Sequence, residues 1–347
     1  MRILVRSTNW VGDAVMSIPA LRALRARHPS CEIALLARPG VAELFQGQGL
    51  ADRLIAFEHN GRHRGALGVE RLAAELRVQR FDCAILLQNA FEAAWIARRA
   101  GIPQRFGYAG DARAWLLTRA VSVPRAGEIP PHECYYYLEL LRRCGWLERL
   151  PEVSEILLKV EPDALARAEE KLAGIGTRMG KLRVAVSPGA AYGSAKSWPP
   201  ERFAAMADRL IAECDADVLL FGAVADRAIA ARIAAAMKGA PVNLTGETGM
   251  AELPALFAAC DVFAGNDSGA MHVAAGVGLP VVAVFGSTDP AGTAPVTERK
   301  TLVQQHVSCS PCFLRHCPVD HRCMERIEVD TVFSAVRKWL ETGAGSR

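Results

Sequence analysis

Nowhere does the chain sustain the roughly 20 consecutive apolar residues that a transmembrane helix needs. Met1 leads straight into the apolar run RILVR, without the charged and apolar regions of a secretory signal. Both absences lead to the expectation of a cytoplasmic protein. Also missing are the dinucleotide fingerprint G-x-G-x-x-G and the P-loop G-x-x-x-x-G-K-[ST], which weakens a dehydrogenase or an ATPase reading. No short-period repeat or low-complexity tract occurs apart from the small-residue tail TGAGSR.

What is present is length and apolar content. The 347 residues, 51% of them hydrophobic, suffice for two cores. The net charge of +4 is unevenly spread: residues 1–160 hold 22 Lys and Arg against 16 Asp and Glu, and residues 161–347 hold 19 against 21. The N-terminal half is therefore the one expected to meet an anionic partner. No nucleic-acid partner is expected.

Of the ten cysteines, Cys31, Cys83, Cys134, Cys144, Cys214 and Cys260 are scattered singly and read as reduced, mostly buried thiols. Cys309, Cys312, Cys317 and Cys323 form a cluster of spacing C-x₂-C-x₄-C-x₅-C, with His316 and His321 interleaved and His306 just ahead. Taken by itself, that cluster is a candidate structural zinc site, although the spacing is not among the firmest.

In the first half, the β-rich runs at 2–6, 32–37, 53–57 and 82–87 alternate with helix-like segments near 14–27, 70–79, 91–99 and 132–144. The pattern restarts with strands predicted at 182–189, 216–222, 261–267 and 280–286, separated by helices near 200–213, 225–237, 251–259 and 270–277. Such alternation predicts α/β architecture with parallel sheets covered on both faces, in two doubly wound units. The expected domains are 1–165 and 166–347, with the last helix a candidate to pack back on the first. Ligands of such folds bind at the carboxyl ends of the strands.

Three loops then stand out. In NDSGAMH, residues 266–272, an apolar strand ends and a helix of small residues begins. Asp267 or Ser268 is placed to cap that helix, and the N–H groups of Ser268, Gly269 and Ala270 offer a cradle for a diphosphate, with His272 one turn in. In SPGAAYGSAKSWPP, residues 187–200, small residues leave backbone open to a ligand, and Lys196 adds a mobile point charge suited to phosphate. The third, NWVGDAVM at 9–16, follows the first strand where a nucleotide fold would offer bare N–H groups, yet it carries Asp13. A carboxylate there repels phosphate, so Asp13 reads either as a helix cap or as a catalytic base.

These stretches, with CSPCFLRHCPVDHRCMERI at 309–327, resemble the lipopolysaccharide heptosyltransferases of glycosyltransferase family nine over nearly the whole chain. The Cys-rich end is closer to the branch that adds the second heptose than to the one that adds the first. The resemblance implies a GT-B fold of two Rossmann-like domains facing a central cleft, the first holding the acceptor and the second the nucleotide sugar. It implies an inverting transfer of heptose from ADP-heptose to the first heptose of the Kdo-lipid A inner core. No cofactor is required and no metal is bound by a D-x-D motif; the one D-x-D here, Asp215 and Asp217, opens a strand.

Carried over by residue, the family's base falls on Asp13. Its lysine falls on Lys196, and donor binding falls on Ser187, Gly189, Lys196, Asp267, Ser268, Gly269 and His272. A ribose-binding acid maps loosely to Asp226. Asn9, Gly12, Arg62, Arg64 and Arg113 are acceptor candidates, joined in a basic surface by Arg98, Arg99 and Arg119. An acceptor bearing phosphates and Kdo carboxylates implies peripheral contact with the inner face of the cytoplasmic membrane. The rival readings are a first-heptose or other GT-B transferase or epimerase using another nucleotide sugar, and an inactive sugar-nucleotide-binding or zinc-stabilised scaffold. Against them stand the acid after the first strand, the lysine loop, and the presence of Asp13, Lys196 and His272 together.

Overall fold

The computed structural model describes residues 1–178 and 180–343. They form two compact units, Met1–Val153 and Ser154–Arg347. The division lies ahead of the expected boundary at 165/166 because the linking segment is bonded into the second unit. Ile156 N–H donates to the Val296 carbonyl at 3.2 Å, and Leu158 N–H to that of Gly276 at 2.6 Å.

The first unit carries β1 (Arg2–Arg6), β2 (Glu32–Ala37), β3 (Arg53–Ala56), β4 (Cys83–Leu86), β5 (Gln104–Tyr108) and β6 (Arg119–Val121). All pair in parallel, in the order β3-β2-β1-β4-β5-β6. The second carries β7 (Arg183–Ser187), β8 (Asp217–Leu220), β9 (Val242–Asn243), β10 (Val262–Asn266), β11 (Val281–Phe285) and β12 (Lys300–Gln304). Their order is β12-β11-β10-β7-β8-β9, again all parallel. Each sheet thus winds outward in both directions from a central pair, β1 and β4 in one and β7 and β10 in the other, as doubly wound folds do.

Central strands such as β1, β4, β7 and β10 read as short apolar runs because both of their faces are covered. The strands absent from the sequence expectation, β5, β6, β9 and β12, lie toward the sheet edges and are short or carry polar ends. The helix expected over 14–27 is two helices, Val11–Met16 and Ile18–Arg27, broken at Ser17 ahead of Pro19. Proline lacks the N–H that would continue the first helix and suits the start of the second.

The last helix, Val329–Gly343, packs on the helix Pro200–Cys214 and on β10, β11 and β12 of its own unit. Val332, Phe333, Val336 and Leu340 from that helix join Trp198, Phe203 and Met206 in one core. Trp198 is fully buried, meets the Phe203 ring edge-on with centroids 4.9 Å apart, and donates its indole N–H to the Ile327 carbonyl at 3.0 Å. Truncating so large a buried side chain leaves a cavity and deprives that carbonyl of a donor. Trp198→Ala is expected to lower unfolding free energy by about 3–5 kcal/mol, read from urea denaturation; a loss below about 1 kcal/mol would contradict this packing.

Candidate functional site

Winding reverses between β1 and β4 in the first sheet and between β7 and β10 in the second, the places where doubly wound folds take ligands. Asn9, Gly12 and Asp13 follow β1 in the first unit, and Ser187, Lys196, Asp267 and Ser268 lie at or after the ends of β7 and β10 in the second.

In the second unit, Ser187 closes β7 and is buried, and Lys196 sits in the 3-10 turn Ser194–Lys196. The Lys196 ammonium donates to Asp267 Oδ2 at 2.6 Å, and the Thr288 hydroxyl donates to the same oxygen at 2.6 Å. Asp267 is 4% exposed, so its charge is sustained by these two donors rather than by water. Asn266 ties the loops together: its amide donates to the Pro188 carbonyl at 2.7 Å and its Oδ1 accepts Trp198 N–H at 3.0 Å.

The helix Gly269–Gly276 begins at once, with Ser268 in the N-cap position. The expected side-chain cap is not formed: Asp267 is turned to Lys196 and Thr288, and Ser268 Oγ is buried without a protein partner. Ser287 Oγ, at the end of β11, is likewise unpartnered. Open N–H groups at the helix start, hydroxyls without partners and a lysine make an anion cradle. His272 is buried inside this helix.

Asp226 joins the same strand ends. Its Oδ2 accepts Ala223 N–H at 2.8 Å, and a Cβ added to Gly189 would fall 2.5 Å from that oxygen. Glycine at 189 is thus what lets the carboxylate approach the β7 loop.

In the first unit, Gly12 and Asp13 lie inside the helix Val11–Met16, whose N-cap position is Trp10 with no side-chain cap. Asp13 is half-buried in the first turn, where the helix N-terminus favours a carboxylate. Asn9 Oδ1 accepts from the Arg6 guanidinium at 2.7 Å. Arg6 is buried and stacks over Phe57 with 5.2 Å to the ring centroid; burial lowers its pKa to about 10, so it stays charged at neutral pH. Around it, Arg6 Nε, Ser7 Oγ and Thr8 Oγ1 are buried polar atoms without protein partners.

Two acceptor candidates are engaged elsewhere. Arg113 is fully buried and directs its guanidinium at the Tyr108 carbonyl, the Gln88 carbonyl and Asn89 Oδ1. It fastens the loop after β4 and offers no surface to an acceptor. Arg62 is exposed but paired with Glu58 at 3.1 Å and Glu75 at 3.6 Å, while Arg64 is exposed at the start of the next helix.

Cys309, Cys312, Cys317 and Cys323 line one cavity, together with Ala195 and Ser287. Among the described residues no three His, Cys, Asp or Glu side chains form a group that could hold a metal ion.

A glycosyltransferase family 9 (heptosyltransferase) profile matches residues 69–322. The chain belongs to this family. It is 32% identical over 313 residues to lipopolysaccharide heptosyltransferase 2 of Salmonella typhimurium, covering 88% of each chain. Identity to the Escherichia coli protein of the same name is 31% over 313 residues, with the same coverage. The solved structure of E. coli ADP-heptose LPS heptosyltransferase II matches with a TM-score of 0.83 at 28% identity, covering 99% of both chains. The chain is thus a glycosyltransferase of GT-B architecture.

Within this family fold, sequence reasoning missed Thr288, Asn266 and Glu133. Thr288 and Asn266 are polar residues directly at strand ends, which is their legible signal. Glu133 is disguised as an ordinary acid in a helix's first turn. Its helix, Glu133–Arg143, packs against the Asp13 helix, and Tyr137, one turn on, bonds to it. Burial, then the Asp13 charge, raise the Glu133 pKa to about 7.

The folded chain therefore holds a proton that the unfolded chain releases once pH passes the ordinary value of 4.5. Stability from this group falls as pH rises from there to about 7. Glu133→Gln is expected to gain stability over the parent between about pH 5 and pH 8, read as the shift in urea midpoints; a difference that does not change with pH would contradict the assignment.

Proposed function

We propose that the enzyme moves L-glycero-D-manno-heptose from ADP-heptose to the first heptose of the Kdo-lipid A inner core, with inversion. The observation that carries this reading is the meeting of Lys196, Asp267, Thr288 and the start of the helix Gly269–Gly276 at the β7/β10 reversal. The likeness to second heptosyltransferases, and to an E. coli enzyme named for ADP-heptose, supports the choice of donor and acceptor.

In this mechanism the second unit holds ADP. The Lys196 ammonium and the N–H groups of Ser268 and Gly269 neutralise the diphosphate as the sugar bond breaks. Lys196 turns from Asp267 to phosphate, while Thr288 stays on the carboxylate. Asp226, beside Gly189, is the acid for the ribose hydroxyls, and His272 lines the donor pocket from within its helix. The first unit supplies the base: Asp13 takes the proton of the acceptor hydroxyl as its oxygen attacks the anomeric carbon opposite the departing ADP. With its pKa raised to about 7, Glu133 is partly protonated near neutral pH and so lessens the negative charge around Asp13. Asn9, Gly12 and Arg64 border the acceptor. No cofactor and no metal enter the scheme.

Asp13→Asn distinguishes a base from a carboxylate that only favours the start of its helix, because Asn keeps the side chain's shape but takes no proton. The variant is expected to lose about 10²- to 10⁴-fold in turnover while binding ADP as the parent does. Near-parental turnover would overturn the assignment.

The acceptor is lipid-linked, and the first unit has a surface suited to a bilayer. Phe91 and Trp115 are exposed with ring centroids 6.3 Å apart, and the Arg98 guanidinium lies over Trp115 at 5.6 Å. Aromatic rings beside a cation fit the interface of an anionic membrane. No described helix is long and apolar enough to cross one. The reading is of a peripheral protein at the inner face of the cytoplasmic membrane. Sedimentation with acidic vesicles is expected to weaken with added salt and with Trp115→Ala; absent or salt-insensitive association would contradict it.

A further inference from the structure

Residues 305–321, between β12 and the short helix Arg322–Glu325, contain neither helix nor strand. Segments of that length without regular structure in a compact domain are commonly functional. This one is fastened along the donor side of the second sheet. Cys312 and Phe313 N–H both donate to the Ser287 carbonyl, at 3.1 and 2.8 Å, next to Thr288.

The lysine loop is held by the same segment at four points. Tyr192 OH donates to the Phe313 carbonyl at 2.9 Å, and Ser194 Oγ bonds His316 Nδ1 at 3.0 Å. Ala195 is gripped from both sides: its N–H donates to the Arg315 carbonyl at 3.0 Å, and its carbonyl lies 3.1 Å from His321 Nε2. A carbonyl only accepts, so Nε2 carries the hydrogen in that bond. Ala195 is the residue directly before Lys196. Contact is so close that a Cβ on Gly193 would come within 2.2 Å of the Arg315 carbonyl oxygen.

We infer that residues 312–321 form a strap that sets the position of Lys196, with His321 as its positioning residue. The inference rests on Lys196 acting on the donor diphosphate. His321 acts through the Ala195 peptide that it bonds, and so on the origin of the lysine side chain. Tyr192 supports the same geometry, since the Lys196 ammonium and the Arg315 guanidinium each lie 5.1 Å from its ring centroid.

A double-mutant cycle tests the strap in the full-length protein, read both as kcat/KM for ADP-heptose and as ADP affinity by calorimetry. His321→Ala is expected to lower both by about tenfold, the scale of one lost hydrogen bond felt by a charged contact. His321→Gln keeps an N–H donor and is expected to recover most of that loss. In a Lys196→Ala background, His321→Ala is expected to cost less than about twofold, because there is no lysine left to place.

Equal losses from His321→Ala in both backgrounds would overturn the strap, as would a folded His321→Gln no better than the alanine variant. Lys196→Ala that binds ADP and turns over like the parent would instead overturn the donor-site reading beneath it. The two failures are therefore distinguishable.

Discussion

The strand ends of the second unit depend on one buried ion pair. Asp267 is nearly inaccessible, and the Lys196 side chain is only 12% exposed, so each charge relies on the other for what water would supply. Their 2.6 Å contact draws together three strand ends: β7 through the lysine loop, β10 through Asp267 itself, and β11 through Thr288. Asn266 repeats the tie one residue earlier. In the proposed mechanism the lysine exchanges this carboxylate for the donor diphosphate, and so has an anionic partner both before and after the donor binds.

The units share a winding but differ in what their reversal points carry. The second has a lysine, a helix start and unpartnered hydroxyls, which suit an anion. The first has a carboxylate in the opening turn of its helix, which suits a hydroxyl proton and repels phosphate. The proposed division of labour between acceptor and donor rests on the charge placed after each unit's first strand. The basic excess of the N-terminal half is less available than its count implies. Arg6 and Arg113 are buried in the fold, and Arg62 and Arg99 are paired with glutamates. Arg64 and Arg98 are among those left facing outward.

Much of this was legible in the residues. Apolar runs separated by amphipathic segments marked the central parallel strands, because burial on both faces leaves little freedom in composition. Strand-end clusters marked Asp13, Lys196 and Asp267, because Gly, Ser and Asp in that setting expose backbone. The edge strands were not legible, since half-solvated positions accept charge. Asp267 looked like a cap because local sequence cannot reveal a lysine 71 residues away competing for the same oxygen. Arg113 looked like a surface cation for the same reason: its partners, the carbonyls of Gln88 and Tyr108, come together only in the folded sheet. Glu133 carried no local signal at all, as its perturbation comes from burial and from a helix far away in sequence. In the cysteine-rich segment the spacing invites a metal, whereas the hydrogen bonds bind it to the lysine loop and to the end of β11. Neither of those partners can be named from the motif alone.

Passage of heptose from ADP-heptose to an inner core that already bears one heptose is open to a direct test. The enzyme and ADP-heptose are incubated with Kdo-lipid A acceptors carrying no heptose or one, and product masses are measured. The expected result is addition of a single heptose to the one-heptose acceptor alone. Transfer to the heptose-free acceptor, or to neither, would contradict the assigned reaction.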